Sequence, residues 1–225
     1  MNKIKLENVW KNYGNLTALN DINLEIDKGE IVIVIGPSGS GKTTLLNILG
    51  LIDKPTKGRV YLNQKFVGDL SEKEIANIRN REFGFIFQFF YLIPELTVIE
   101  NVFLPLWIKE KNFDKKFISE AEIYLEKFGI LDKKNYYPSK LSGGEMQRVA
   151  ICRSLICNPE IIFGDEPTGS IDSVSALNFY NFIKRLNKDL GKTFVIATHN
   201  ENFLQFATKI VYLKEGKIEK IERRG

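Results

Sequence analysis

Five consecutive β-branched residues, Ile31-Val32-Ile33-Val34-Ile35, run straight into Gly36-Pro37-Ser38-Gly39-Ser40-Gly41-Lys42-Thr43, and a helical pattern follows over residues 42–49. An apolar run with no polar face is the pattern of a parallel strand covered on both sides. Parallel strands need helical crossovers, so the chain is expected to be α/β. The loop fits G-x-x-x-x-G-K-[ST]. Its glycines let the backbone curl until successive N–H groups point at one anion, and the helix start adds the positive end of a dipole. Lys42 is placed to reach β- and γ-phosphates, and the Thr43 hydroxyl to ligate Mg²⁺. The plain alternative is a glycine-rich turn ahead of a helix, a match expected by chance roughly once in a hundred such chains; the flanking strand and helix lower that further. By itself the loop leaves open a GTPase, a kinase or an ATPase motor.

Elsewhere the pattern alternates. Ile4 and Leu6, then Ile22, Leu24 and Ile26, read as strands with one buried face, and Asp27-Lys28-Gly29 as a turn. Strands are expected at 58–62, 83–87, 161–163 and 193–197, and helices at 71–80 and 173–190, the former opened by a Ser71/Glu74 capping box. Glu215-Gly216 turns a final hairpin of 210–213 and 217–221. Between these halves the character becomes helical, with starts at Thr97/Glu100 and Ser142/Glu145 and a helix over 119–128. A single domain over 1–225 is expected, with a core of approximately 1–88 and 159–225 and a helical subdomain of approximately 89–158.

Chemistry-bearing residues collect at strand ends. The apolar run Ile161-Ile162-Phe163 ends in Gly164-Asp165-Glu166, and neighbours on a strand point to opposite faces. Asp165 is then expected to hold the Mg²⁺ shell and Glu166 to face an attacking water as general base. The bland alternative is a polar strand end capping the next turn. The one histidine, His199, follows Thr193-Phe194-Val195-Ile196-Ala197-Thr198, at the edge where ligands sit in open α/β sheets. Gln88 ends strand 83–87, where its amide can touch Mg²⁺ or water.

Composition narrows the class. With 44% apolar and 27% charged residues, the chain is neither disordered nor a disulfide scaffold, and a net charge of +4 is too mild and mixed to argue for nucleic acid. Residues 1–5, Met1-Asn2-Lys3-Ile4-Lys5, lack the apolar core of a signal peptide. No apolar stretch approaches the ~18 residues of a membrane span. Cys152 and Cys157 match no metal spacing and are expected to be reduced packing residues. The charges over 109–116 read as a solvated face, and Arg223-Arg224 as a solvated tail rather than a lipid contact.

Leu141-Ser142-Gly143-Gly144-Glu145-Met146-Gln147-Arg148 decides among the alternatives. It resembles the signature sequence of ABC ATPases, and the other motifs fall in that family's order across nearly the whole chain. The resemblance implies a P-loop NTPase fold with a parallel-sheet core, an N-terminal antiparallel β subdomain and an inserted helical subdomain. It makes Tyr13 the aromatic that stacks on adenine, the glycine loop the Walker A motif, Asp165-Glu166 the Walker B end, Ser170-Ile171-Asp172 the D-loop, Gln88 the Q-loop and His199 the switch histidine. It implies ATP and Mg²⁺ as cofactors. Lys42, Gln88, Glu166 and His199 would be catalytic, and Thr43, Gln88 and Asp165 would hold the metal. Nucleotide would be contacted by Tyr13, the loop through Thr44, and Ser142, Gly143, Gly144, Glu145 and Asp172. Met146, Ile171 and Asn200 depart from the family's commonest residues without removing a charge or ligand from this chemistry.

A serine and two glycines opening a helix form an anion site in their own right, yet Ser142 lies far along the chain from Lys42. The family's arrangement is a head-to-tail dimer with ATP between the loop of one copy and the signature of the other. Phe89-Phe90-Tyr91-Leu92-Ile93-Pro94 and the residues to Val102 resemble the segment after the Q-loop in lipoprotein-release, macrolide-export and peptide-antibiotic-export ATPases, as does Gly164-Asp165-Glu166-Pro167-Thr168-Gly169. This implies a groove for a cytoplasmic helix of a membrane permease, the plain alternative being subdomain core. The expected protein is a cytoplasmic ATPase held at the inner face of the cell membrane through that permease, with no nucleic-acid partner. The other readings are an ABC ATPase acting on nucleic acid or ribosomes, and one that regulates a membrane partner without transport.

Overall fold

In the computed structural model, residues 2–224 are described. Met1, on which the reading of the chain start partly rests, and Gly225 at the end of the expected domain lie outside the described residues. In chain order, β1 (Asn2–Tyr13) and β2 (Leu16–Asp27) precede β3 (Ile31–Ile35), which leads through the glycine loop into α1 (Lys42–Leu49). β4 (Lys57–Leu62) and a short β5 (Lys65–Phe66) are followed by α2 (Glu72–Glu82) and β6 (Phe83–Phe87). Then come α3 (Val98–Glu110), α4 (Lys116–Lys127), α5 (Gly143–Leu155), β7 (Ile161–Asp165), α6 (Ser173–Leu190) and β8 (Thr193–Thr198). A hairpin of β9 (Lys209–Lys214) and β10 (Lys217–Arg223) ends the fold.

Two sheets result. The antiparallel one has the order β2-β1-β4-β5, and the mixed one β10-β9-β3-β8-β7-β6, parallel except for the final hairpin. Every residue of β3 is buried, as its unbroken β-branched run requires. The strand's alternation divides it between two cores. Val32 and Val34 face Leu45 and Ile48 of α1 and the inward residues Leu6, Ile22 and Ile26 of the antiparallel sheet. Ile31, Ile33 and Ile35 face the other way, onto Phe179, Tyr180 and Ile183 of α6. A third cluster, built around Val102, Phe117, Leu125, Val149 and Cys152, lies among α3, α4 and α5.

The capping boxes form. The Ser71 and Thr97 N–H groups donate to Glu74 Oε2 (2.8 Å) and Glu100 Oε2 (2.7 Å). α4 starts at Lys116, ahead of the expected 119, because Asp114 Oδ1 accepts the Lys116 N–H (2.9 Å). The short elements carried no readable signal, among them β5 and a 3₁₀ turn over Glu201–Phe206 that Asn200 caps by accepting from Asn202 N–H. Both cysteines are free and buried, and burial pushes the Cys157 thiol up to about 11, so these are packing groups and not reactive thiols. Among the described residues no helix is long and apolar enough to cross a membrane.

Candidate functional site

Strand register assembles the site. Ile35 of β3 lies opposite Thr198 of β8, Asp165 of β7 opposite Ala197, and Phe87 of β6 opposite Asp165. All four strands are parallel, so their carboxyl ends finish at one edge, where Gly36, Gln88, Glu166 and His199 emerge together.

The loop's shape comes from backbone crowding. A Cβ on Gly36 would lie 2.0 Å from Leu213 O, and one on Gly41, whose φ is 101°, 2.6 Å from Ala18 O. Only glycine fits at either place, and the loop is held between β2 and β9. Lys42 Nζ folds back over it and donates to Gly36 O (2.8 Å) and Pro37 O (3.0 Å). The first turn of α1 carries no acidic side chain, and the buried Ser40 hydroxyl has no hydrogen-bond partner. The cradle is thus cationic, with an unused polar group inside and its carbonyls turned to the lysine. It fits a polyphosphate.

Thr43 and Asp165 meet, the hydroxyl donating to Asp165 Oδ1 (3.2 Å). Burial pushes the Asp165 carboxyl up, the adjacent Glu166 charge adds to this, and the Thr43 hydrogen bond and Lys42 oppose it. One carboxylate and one hydroxyl beside a phosphate cradle suit Mg²⁺, which keeps waters and borrows phosphate oxygens; among the described residues no cluster of three or more His, Cys, Asp or Glu offers an all-protein metal cage.

Glu166 requires a correction. It does not continue the strand to the opposite face; the chain leaves β7 at Asp165, and Glu166 takes the left-handed φ of 44°. That conformation is uncommon outside glycine and asparagine and persists where the surrounding structure over-determines the backbone. Here its N–H is held by Ala197 O (2.9 Å) and its carbonyl by Gly169 N–H (2.9 Å). The turn swings the carboxylate under His199, whose Nδ1 donates to Glu166 Oε1 (2.9 Å). Glu166 and His199 therefore form one unit, which strand alternation did not foresee.

Tyr13 ends β1 with its ring about half exposed. Its hydroxyl donates to Asp53 Oδ2 (2.7 Å), and Lys11, which also pairs with Asp53, lies 4.9 Å from the ring centroid. Burial and the Asp53 charge push the phenol up. Gln88 packs its amide on Gly169, where a Cβ would lie 3.0 Å from Nε2; among the described residues no hydrogen bond joins that amide to Thr43 or Asp165. Asp172 is engaged elsewhere, capping α6 through Val174 N–H, Ser175 N–H and the Ser175 hydroxyl.

Ser142 is exposed at the N-terminus of α5, its N–H donating to Glu145 Oε2 (2.7 Å) while Glu145 pairs with Lys133. Gly143 and Gly144 lie beside Ser170 and Ser175 at the start of α6. No hydrogen bond among the described residues ties this helix start to the loop at 36–43.

Residues 19–169 match the family described as ABC transporter. The chain belongs to that family. An uncharacterized ABC transporter ATP-binding protein of Methanocaldococcus jannaschii is 47% identical over 223 residues, covering 97% of this chain and 98% of the relative. The lipoprotein-releasing system ATP-binding protein LolD of Bacteroides thetaiotaomicron is 43% identical over 96% of this chain and 99% of its own length. The dimeric post-hydrolysis structure of the ATP-binding cassette MJ0796, bound to ADP and Pi, superposes with a TM-score of 0.91 at 43% identity and covers 99% of both chains. As an ABC ATPase the protein binds ATP with Mg²⁺ and hydrolyses it.

Three supporting residues of this ABC ATPase had escaped sequence reasoning. Asp53 and Lys11 fix the Tyr13 ring, and Arg153 reaches across to the loop after Gln88. Asp53 and Arg153 lie far in sequence from what they touch, and Lys11, two residues before Tyr13, is fixed there by the distant Asp53, so no local pattern marks them. Gln147 was visible only as part of the signature sequence; buried, it donates to Pro167 O (2.7 Å) and ties α5 to the turn carrying Glu166.

Proposed function

We propose that this ATPase is the energy-coupling subunit of an export-type or mechanotransmitting transporter. In this reading it sits at the cytoplasmic face of the cell membrane on a separate permease, and two copies close head to tail around ATP. One observation carries the pairing. The Ser142 helix start is exposed, is flanked by Gly143 and Gly144, and among the described residues makes no hydrogen bond to its own chain's phosphate cradle. An anion site facing outward is completed by a nucleotide held on another copy.

Within each composite pocket the 36–41 backbone, Lys42 and Thr44 grip the phosphates, and Tyr13 stacks on the base. Thr43, Asp165 and Gln88 would hold the metal. Mg²⁺ would supply charge neutralisation for the phosphates. Glu166 orients the attacking water and takes its proton, and His199 holds the Glu166 carboxylate in place through Nδ1. From the second copy, Ser142, Gly143, Gly144, Glu145 and Asp172 close the pocket; Glu145 and Asp172 act by capping their helices and so aiming them. Loss of the γ-phosphate removes part of the interface, which opens the pair.

The core of about 1–88 and 159–225 and the helical unit of about 89–158 meet along a groove of roughly 470 Å³ lined by Phe85, Phe87, Tyr91, Leu104, Pro105 and Ile108. Nearby Phe89 and Tyr91 are 72% and 62% exposed, whereas Phe90 is buried and Leu92 packs on the helical cluster. An aromatic groove of this size accepts one amphipathic helix of a permease. The similarity to LolD, a lipoprotein-releasing system ATP-binding protein, supports the export branch.

The test is Glu166→Gln, which keeps the shape and removes the base. With MgATP the variant is expected to scatter light as a dimer while its turnover falls at least about a hundredfold. A variant that stays monomeric at saturating ATP, beside a monomeric wild type that still hydrolyses, overturns the paired mechanism. Co-purification from solubilised membranes separates partners: a stoichiometric multi-span protein supports the reading, and bound nucleic acid refutes it.

A further inference from the structure

Phe90 and Tyr91 both lie in the left-handed region, at φ 60° and 45°. An L-residue there crowds its Cβ against the backbone, and two bulky aromatics in succession persist only where neighbours impose the conformation. The neighbour is Arg153, in the last turn of α5. Its Nη1 donates to Tyr91 O (2.6 Å) and its Nη2 to Phe90 O (2.5 Å), one arm of the planar fork to each carbonyl. Among the described residues no carboxylate pairs with this guanidinium, and burial pulls it down from its ordinary range. The two carbonyls are what it is built to hold.

Two residues before Phe90 stands Gln88. Its carbonyl accepts from the Ser170 hydroxyl (2.9 Å), and its amide rests on Gly169, whose N–H in turn bonds Glu166 O. A continuous path therefore runs from Arg153 through the left-handed pair to Gln88 and the turn carrying Glu166. We propose that Arg153 is a positioning residue for Gln88: its fork locks the left-handed exit that aims the glutamine at the Glu166 turn. The inference rests on the role of Gln88 given above.

Backbone strain supplies a test that a merely packed arginine would fail. Arg153→Lys keeps the charge and much of the volume but replaces the planar fork, which gives each carbonyl its own nitrogen at a fixed spacing, with a single flexible ammonium. It is expected to lower kcat about tenfold or more while KM for ATP stays within about twofold. Adding Tyr91→Gly, at an exposed position where glycine takes φ > 0 freely, should recover at least about threefold of that loss. A structural role predicts the reverse, since the added glycine would only loosen the chain. Unchanged kcat in Arg153→Lys overturns the proposal, as does failure of Tyr91→Gly to recover any of the loss. Gln88→Ala is the control. If it leaves kcat intact the role of Gln88 falls, whereas a Gln88→Ala defect alongside a fully active Arg153→Lys removes the clamp alone. Should Arg153→Lys not fold, Tyr91→Val in the wild-type background takes its place: a β-branched residue resists φ > 0, so a kcat loss at unchanged KM is expected, and normal kcat refutes the idea.

Discussion

Lys42 is buried, yet both its hydrogen bonds go to carbonyls of its own loop. Its removal therefore leaves no buried counter-charge. Lys42→Ala should fold normally and bind ATP at least about tenfold more weakly, a charge-assisted phosphate contact being worth about 1.5–3 kcal/mol. Titration with a fluorescent nucleotide and a urea melt together check this; unchanged affinity would remove Lys42 from the cradle. Gly41→Ala differs in kind, because φ of 101° and the 2.6 Å approach to Ala18 O strain the fold itself. Glu166 endures a similar left-handed backbone because its turn is hydrogen-bonded on both sides. The identities of these residues were readable from motif spacing. Their conformations were not, since a left-handed glutamate has no signature in sequence and depends on Ala197, on another strand.

At the scale of elements, the start of α5 is the most finely balanced. Ser142 and Glu145 close a capping box, and Lys133, from the connection after α4, grips the same carboxylate. The Lys133 hydrogen bond first, then those from Ser142, draw the Glu145 carboxyl down to about 2. A pKa lowered on folding means stability that is present above the ordinary value of 4.5 and lost as pH falls toward about 2. Wild type should therefore resist urea better than Glu145→Gln at pH 7, with the gap narrowing steadily below about pH 4.5. An equal gap at pH 7 and near pH 2.5 would show that the carboxylate charge contributes nothing. The box was legible because S-x-x-E is local. Lys133 was not, because its partnership needs α4 and α5 already packed.

Across the whole molecule, the groove between core and helical unit is the surface on which the transporter reading depends. Ile108 lines it and is 60% exposed, so Ile108→Glu has little packing to lose. The variant should keep its isolated ATPase rate within about twofold and lose its membrane partner on co-purification, since a carboxylate covered by a docked apolar helix face is stripped of its water. A partner retained in full would place the contact elsewhere. The phosphate cradle and the Ser142 helix start face different neighbours in one copy. Turnover in this reading belongs to a pair of molecules.

Sequence alone determined the parallel core, the phosphate loop, the acidic strand end, the lone histidine beyond β8 and the family. Each of these is written in short-range patterns: an unbroken β-branched run, glycines at fixed offsets, capping residues three positions apart. Only the tertiary structure decided that Glu166 turns left-handed beneath His199, that Asp53 and Lys11 brace Tyr13, and that Arg153 clamps the segment after Gln88. Those contacts join residues that meet only when sheet register and helix packing bring distant stretches of chain together, and a local pattern carries no record of which carbonyl a distant side chain will find.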